Sequence, residues 1–263
     1  MGEESMPAVA KLLGIEVKTS ENAHPDDLVF RWGCTSLSLG QTKIVNKSTA
    51  IQEVSNKKGF REKLSKAGLA PKFWENLDEY ILDGSYKAIE SILIRPAHHS
   101  RSEGLFPCKD LSEAVRAVRE IPGPYYVSEL IQKNREFRVF VCSNRIAFMI
   151  EKTPKDPDEV SWGCVSTGDF KYVDWSEWPD CISQIAIKSM KQSSLDFGAV
   201  DIISADAEDY ALEINTAPHL SPYYQKCVAK VFKHIIQNGR DHFPEPLDYS
   251  WKNVIHPAIM KDL

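Results

Sequence analysis

The middle of the chain alternates apolar and polar residues with a period of two. Tyr125 to Ile131, Phe137 to Cys142 and Ile146 to Glu151 are rich in β-branched and aromatic side chains, which predicts three strands. Ser143-Asn144 predicts a two-residue turn between the last two. Ala199 to Ile203 and Tyr210 to Ile214 predict a further hairpin around the acidic loop from Ala205 to Asp209. Upstream the period changes. Phe60, Leu64 and Ala67 recur at helical spacing behind Asn56, a candidate cap, and the pattern stops at Gly68 and Pro71. Ser48 is read as capping a short helical turn to Val54. Asp110 with Glu113 reads as a capping box opening a helix to about Glu120. Ser176 is read as capping a helix to about Ser194, and Ser221-Pro222 opens one that ends near Asn238, before Gly239. Ser91 to Arg95 and Val29 to Trp32 read as strands. Helices and antiparallel strands mingle, so the expected fold class is α+β.

Composition narrows the picture. At 263 residues with 43% hydrophobic and 26% charged residues, the chain has enough apolar material for a core, and disorder is excluded. The net charge of −5 argues against bulk nucleic-acid binding. Between Gln41 and Lys72, however, eight Lys/Arg face two Glu, a local excess that suits an anionic ligand or a solvated helix face. No apolar run approaches the roughly 18 residues of a membrane helix, and Met1 to Met6 has no signal-peptide character. The six cysteines are too far apart for a CxxC pair, so free thiols in a cytoplasmic protein are expected.

The chain has no GxxxxGK[ST] or GxGxxG, so neither a phosphate loop nor a Rossmann fingerprint is available, and the missing GxSxG and HExxH weaken hydrolase and zinc-protease readings. Three other groupings carry chemistry. Asp201, Glu213 and Asn215 interrupt apolar strands. Alternation puts Glu213 and Asn215 on one face, and hairpin pairing can bring Asp201 beside them, giving three hard oxygen ligands of the kind Mg²⁺ takes. The wet face of a half-buried hairpin would look the same. Glu129 and Glu136 flank a break between strands that can offer backbone groups to a base edge and a carboxylate to a ribose; a salt-bridged surface hairpin is the plainer alternative. The run from Arg95 to Gly104 carries His98, His99, Ser100 and Arg101, which can close over phosphates. Adjacent His98 and His99 point to opposite sides of an extended chain, so a shared metal is not expected.

These groupings, in this order, resemble the ATP-grasp superfamily, especially its ribosomal-protein glutamate-ligase branch and the ATP-grasp proteins of tailed phages. The likeness runs from about Val29 to Ile236. It is strongest in Leu195 to Asp201, Leu212 to Pro218 and Glu129 to Val141, with Ser55-Asn56-Lys57 and Leu64 to Ala70 matching the lysine-bearing helix and the turn after it. The resemblance implies an ATP-grasp fold in which two α+β lobes clamp ATP: residues 1–49 form a reduced N-terminal segment, 50–122 the small lobe and 123–263 the large lobe. It implies that Lys57 and Arg95 contact phosphates, Arg95 standing where a lysine is usual, under a flap from His98 to Gly104 that includes Ser100 and Arg101. Glu129, Leu130 and Ile131 would face adenine, Glu136 the ribose, and Lys152 the γ-phosphate. Asp201, Glu213 and Asn215 would bind Mg²⁺, or Mn²⁺ in its place. Arg138, His219 and Ser221 would face the acceptor, with Arg95, Arg138 and Lys152 as the catalytic cations.

The implied reaction is ligation of a carboxylate to an amine through an acyl phosphate, with ADP and phosphate released and a peptide or protein as the favoured acceptor. A small-molecule kinase and a non-catalytic nucleotide-binding interaction protein are the alternatives.

Overall fold

The alternating strands of the central region form one five-stranded antiparallel sheet in the computed structural model, which describes residues 5–17, 24, 26–35, 43–89, 91–98, 104–156, 168–206 and 208–239. In chain order the elements are α1 (Ser5–Leu13), β1 (Leu28–Phe30), β2 (Lys43–Val45), α2 (Ser48–Ser55), α3 (Lys57–Lys66), β3 (Phe73–Trp74), α4 (Leu77–Leu82), β4 (Ile92–Pro96) and β5 (Phe106–Cys108). They continue with α5 (Leu111–Glu120), β6 (Tyr125–Glu129), β7 (Arg135–Cys142), β8 (Arg145–Pro154), β9 (Gly168–Val173), α6 (Asp180–Ser193), β10 (Phe197–Ser204), β11 (Asp209–Asn215) and α7 (Pro222–Asn238). The large sheet has the order β11-β10-β7-β8-β9; a small antiparallel sheet has the order β3-β6-β4-β5; β1 and β2 form a short parallel pair. The α+β expectation holds. No helix among the described residues is long and apolar enough to cross a membrane.

Alternation along β7, β8 and β10 sorts the core. Val139, Val141, Met149, Val200 and Ile202 face one way and are covered by α2, α3 and α6 through Ile51, Val54, Phe60, Leu64, Ile182 and Ala186. Phe140, Cys142, Phe148, Phe197 and Ala199 face the other way and are covered by α7, α1 and the β1–β2 segment. The small sheet closes its own core with α4 and α5 through Trp74, Tyr80, Ile94, Ala114 and Val127. It takes in β6, beyond the boundary expected at residue 122. Helices α2 and α3, expected in the small lobe, share the core of the large sheet because their apolar stripe is buried there.

Local signals account for many boundaries. Asn56 accepts from the Gly59 N–H and caps α3, and Asp110 accepts from the Glu113 N–H and caps α5. Ser143 and Asn144 both have positive φ, as a tight hairpin turn with the right twist requires. Two expected caps do not form. Lys47, not Ser48, stands at the N-cap of α2, without a side-chain bond. Ser176 sits in a 3-10 turn capped by Asp174, and Pro179 delays the start of α6 to Asp180. Helices α1 and α4 and strands β2, β3, β5 and β9 were not expected; most are too short to show a period.

The N-terminal segment is tied to the large lobe by polar as well as apolar contacts. Asn46, fully buried with φ of 65°, donates to the Phe197 carbonyl at 2.9 Å and accepts from the Asp196 and Phe197 N–H groups at 2.7 and 3.0 Å. Its own N–H donates to the Asp196 carboxylate at 2.6 Å. Replacing it by alanine removes the side-chain partner of three backbone groups, two of them, the Phe197 N–H and carbonyl, in buried bonds. At about one to three kcal/mol per orphaned buried group, Asn46→Ala should lose about 2–6 kcal/mol of stability; urea unfolding of the two proteins measures it, and a loss of a few tenths would contradict this account.

Candidate functional site

One face of the large sheet is apolar at one end and charged at the other. On β7, Phe140 and Cys142 give way to Arg138 and Glu136; on β10, Ala199 gives way to Asp201; on β8, Ile150 gives way to Lys152. The apolar end lies under α7 and the N-terminal segment. Register brings the charged residues together, since Asp201 is directly opposite Arg138 on one side and Glu213 on the other. Glu136 is opposite Lys152. A β-bulge contributes. Ile202 pairs with Ala211 but Asp201 with Glu213, so Leu212 is the extra residue, and Glu213 is thereby turned to the same side as Asp201.

The ion pairs are buried and bidentate where they count most. Arg138 donates from Nε and Nη2 to the two oxygens of Asp201, both at 2.8 Å. Lys152, fully buried, lies 2.7 Å from Glu136 and 3.2 Å from Asp201. Lys133 holds the other oxygen of Glu136 at 2.5 Å. Asn215 donates to Asp201 at 3.2 Å, and Lys57, on the first turn of α3, reaches Glu213 at 3.0 Å. Burial pushes the Asp201 carboxyl up, but the charges of Arg138 and Lys152 more than reverse this and hold it far below the usual carboxylate range. Glu213 is depressed as well: burial opposes its ionisation, and Lys57 restores it.

Beside this network, between the two sheets, is a cleft of about 280 Å³. It is walled by Lys57, Phe60 and Arg61 of α3, Arg95 of β4, Tyr126 of β6, and the end of β11 with the turn after it, Leu212 to Ala217. Arg61 is only 4% exposed, and its Nη1 has no hydrogen-bond partner among the described residues; neither has Nε of Arg95. Burial lowers the Arg61 pKa to about 10, with the positive charge of Arg95 adding to the effect, so the two guanidinium groups feel each other. Site and cleft together hold six cations, Lys57, Arg61, Arg95, Lys133, Arg138 and Lys152, against three carboxylates, Glu136, Asp201 and Glu213. That surplus of three positive charges suits a polyanion.

The expected site residues fall into four groups. Lys57, Arg95, Glu213 and Asn215 line the cleft. Glu136, Arg138, Lys152 and Asp201 form the buried charged row next to it. Glu129 ends β6 and Leu130 and Ile131 follow it, all three half-buried. The N–H groups of Glu129 and Leu130 already donate to the Lys72 and Ser91 carbonyls, at 3.0 and 3.1 Å, while that of Ile131 has no such partner among the described residues. His98 follows β4 and is exposed; His219 and Ser221 are exposed and do not line the cleft, whose wall stops at Ala217. Ser100 and Arg101 lie outside the described residues. Two members of the site were not singled out from the sequence, Arg61 and Lys133. Arg61 lies four residues beyond Lys57, on the same helix face; that spacing was the available signal. Lys133 lies in a break between strands and carries no pattern of its own.

The donor chemistry fits the groups that the resemblance implies. Unpaired guanidinium N–H groups in a cation-rich cleft suit a phosphate chain. Hard oxygens of Asp201, Glu213 and Asn215 on two paired strands suit Mg²⁺. Among the described residues no cluster of three His, Cys, Asp or Glu side chains is arranged as a metal site, so the set rests on two carboxylates and a carboxamide.

Two sheets with a charged cleft between them, closed by a lysine-bearing helix and a carboxylate hairpin, define the class: the chain has the ATP-grasp fold. Solved structures with this architecture include the D-alanine–D-alanine ligase from Bacillus anthracis complexed with ATP, 13% identical, covering 74% of this chain and 68% of that one with a TM-score of 0.57. The ATP-grasp ligase PsnB, complexed with a phosphomimetic variant of its minimal precursor, Mg and ADP, is 16% identical over 68% of this chain, with a TM-score of 0.51. The macrocyclase MdnC bound with precursor peptide MdnA from Microcystis aeruginosa MRC is 18% identical over 76% of this chain and 66% of that one, with a TM-score of 0.52. This chain spans 54% of PsnB, about half its length. No protein-family model and no curated protein matches the sequence.

Proposed function

We propose that the protein is an ATP- and Mg²⁺-dependent carboxylate–amine ligase that acts in the cytoplasm on a peptide or protein acceptor. The observation that carries this reading is the cation-rich cleft with two unpartnered guanidinium nitrogens, set directly beside the registered Asp201, Glu213 and Asn215. The ligase neighbours support the reaction class, and the precursor peptides named with PsnB and MdnC support a peptide acceptor. Two lobes grip the nucleotide in this reading.

Lys57 and Arg95 bind phosphate oxygens. Glu129, Leu130 and Ile131 face adenine, and Ile131 offers an N–H with no backbone partner among the described residues. Glu136, held by Lys133 and Lys152, is the ribose ligand. Lys152 is a fixed positive charge at the base of the site for the transferred phosphoryl group, and Arg138 faces the reacting carboxylate from the same row, with His219 and Ser221 toward the amine and His98, Ser100 and Arg101 over the phosphates. Asp201, Glu213 and Asn215 would hold Mg²⁺, or Mn²⁺, which supplies charge neutralisation on the phosphate oxygens. The substrate carboxylate attacks the γ-phosphorus, releasing ADP and forming an acyl phosphate. The amine then attacks the acyl carbon, phosphate leaves, and the amine's proton passes to solvent. No protein nucleophile is required; catalysis is positioning and electrostatic stabilisation.

The test is ADP release by the purified protein in ATP and MgCl₂ with a panel of carboxylates and amines, including short acidic peptides. Release that needs both a carboxylate and an amine, with an amide in the product, is expected. A phosphorylated hydroxyl would assign a kinase instead. Nucleotide binding with no turnover on any pair would favour an interaction protein.

A further inference from the structure

The reading above leaves Arg61 without a task, yet it is the least ordinary side chain in the cleft. It is buried, and its Nη1 has no acceptor among the described residues; nor has Nε of the half-buried Arg95, a second cation that lines the same cleft. Like charges in one cleft repel, and an unmet buried donor is costly. Glu213 and Tyr126 offset part of that repulsion, yet neither accepts a hydrogen bond from Nη1. The helix of Arg61 supplies Lys57 to the same cleft one turn earlier.

Resting on the nucleotide-site reading, we propose that Arg61 and Arg95 form a two-guanidinium clamp on the phosphate chain, with Arg61 a direct nucleotide ligand and the residue that makes affinity depend on the number of phosphates. Arg61 approaches from the α3 side and Arg95 from β4, so the chain is held between the core of the large sheet and the small sheet. Each guanidinium can offer paired N–H donors to phosphate oxygens, and the anion relieves the repulsion between them. The alternative anion, a carboxylate of the acceptor, carries one charge and is an outcome of the test.

Affinities for ATP, ADP, AMP and inorganic tripolyphosphate are measured by titration calorimetry on wild type, Arg61→Gln and Arg61→Lys, each checked for folding by circular dichroism. Loss of charge-assisted bonds should cost Arg61→Gln about tenfold or more in affinity for ATP and tripolyphosphate. AMP affinity should change less than about twofold on the same scale, and Arg61→Lys should recover part of the loss. Equal ATP affinity in a folded Arg61→Gln, or equal losses for ATP and AMP, overturns the clamp while leaving the nucleotide site standing; the first result combined with weaker binding of an acidic peptide assigns Arg61 to the acceptor. If wild type binds tripolyphosphate but not ATP, the anion clamp stands and the nucleotide reading falls. Binding of neither overturns both. Should Arg61→Gln fail to fold, Arg61→Lys, which keeps the charge and loses the fork, gives the same comparison: a weakened response to ATP and tripolyphosphate with AMP unchanged supports the clamp, and no difference from wild type overturns it.

Discussion

Asp201→Ala should destabilise the protein by about 3–5 kcal/mol, the usual cost of removing one partner from a buried ion pair. Asp201 is 4% exposed and receives both donors of the Arg138 fork, the Lys152 ammonium and the Asn215 amide. Without it Arg138 keeps its charge in the interior and Lys152 is left with Glu136 alone. Urea unfolding at neutral pH measures the loss, and less than about 1 kcal/mol would mean that the charged row is solvated in a way the burial does not describe. The sign with pH follows from the depressed Asp201 carboxyl. Because the folded pKa lies below the unfolded value near 3.9, the contribution is complete above about pH 5. It is lost as pH falls through the unfolded value toward the folded one. Wild-type stability should drop over this range, and the variant should drop less.

Glu213→Gln should abolish the magnesium dependence of nucleotide binding while changing stability little. The Lys57–Glu213 pair is about a third exposed on both sides, so the loss of stability is expected within about 1 kcal/mol. Its effect on ligands is larger and opposite in the two conditions. In chelator, wild-type Lys57 is tied to Glu213; in the variant it is released to a phosphate, so metal-free ATP should bind more tightly than to wild type. With MgCl₂, wild type should gain thermal stability, about 2.7 kcal/mol at a hundredfold excess over the dissociation constant. The variant should gain no more than it does in chelator. Identical magnesium responses in the two proteins would remove Glu213 from the metal set.

Much of the site was legible because strand chemistry is local. A carboxylate inside an apolar strand, as at Asp201 or Glu213, stands out against its neighbours, and a two-residue period shows which residues share a face. Lys57 was reached only through the family resemblance of Ser55-Asn56-Lys57. Arg61 was not, because a single arginine on a basic helix reads as solvated until the sheet that buries it is in place. The exposed positions of His219 and Ser221, just past the cleft wall, depend on where the turn after Asn215 goes, and no local signal encodes that path. Which sheet each element joins was not legible for a similar reason. The apolar stripe of α2 and α3 says that they are buried, not against which sheet, and β6 joins β3 and β4 through pairings remote in sequence.

By itself, then, the sequence determined the longer central strands, most long helices and the α+β class, and it singled out the carboxylates as candidates, since each follows from periodicity, capping or residue chemistry within a few positions. Only the tertiary structure decided that Asp201, Arg138 and Glu213 stand in one row, that the bulge at Leu212 turns Glu213 to their side, and that Arg61 and Arg95 line one cleft. Those relations depend on register between strands and on the packing of one sheet beside another. Both are settled by the burial of apolar faces over the whole chain, and no short stretch of residues contains them.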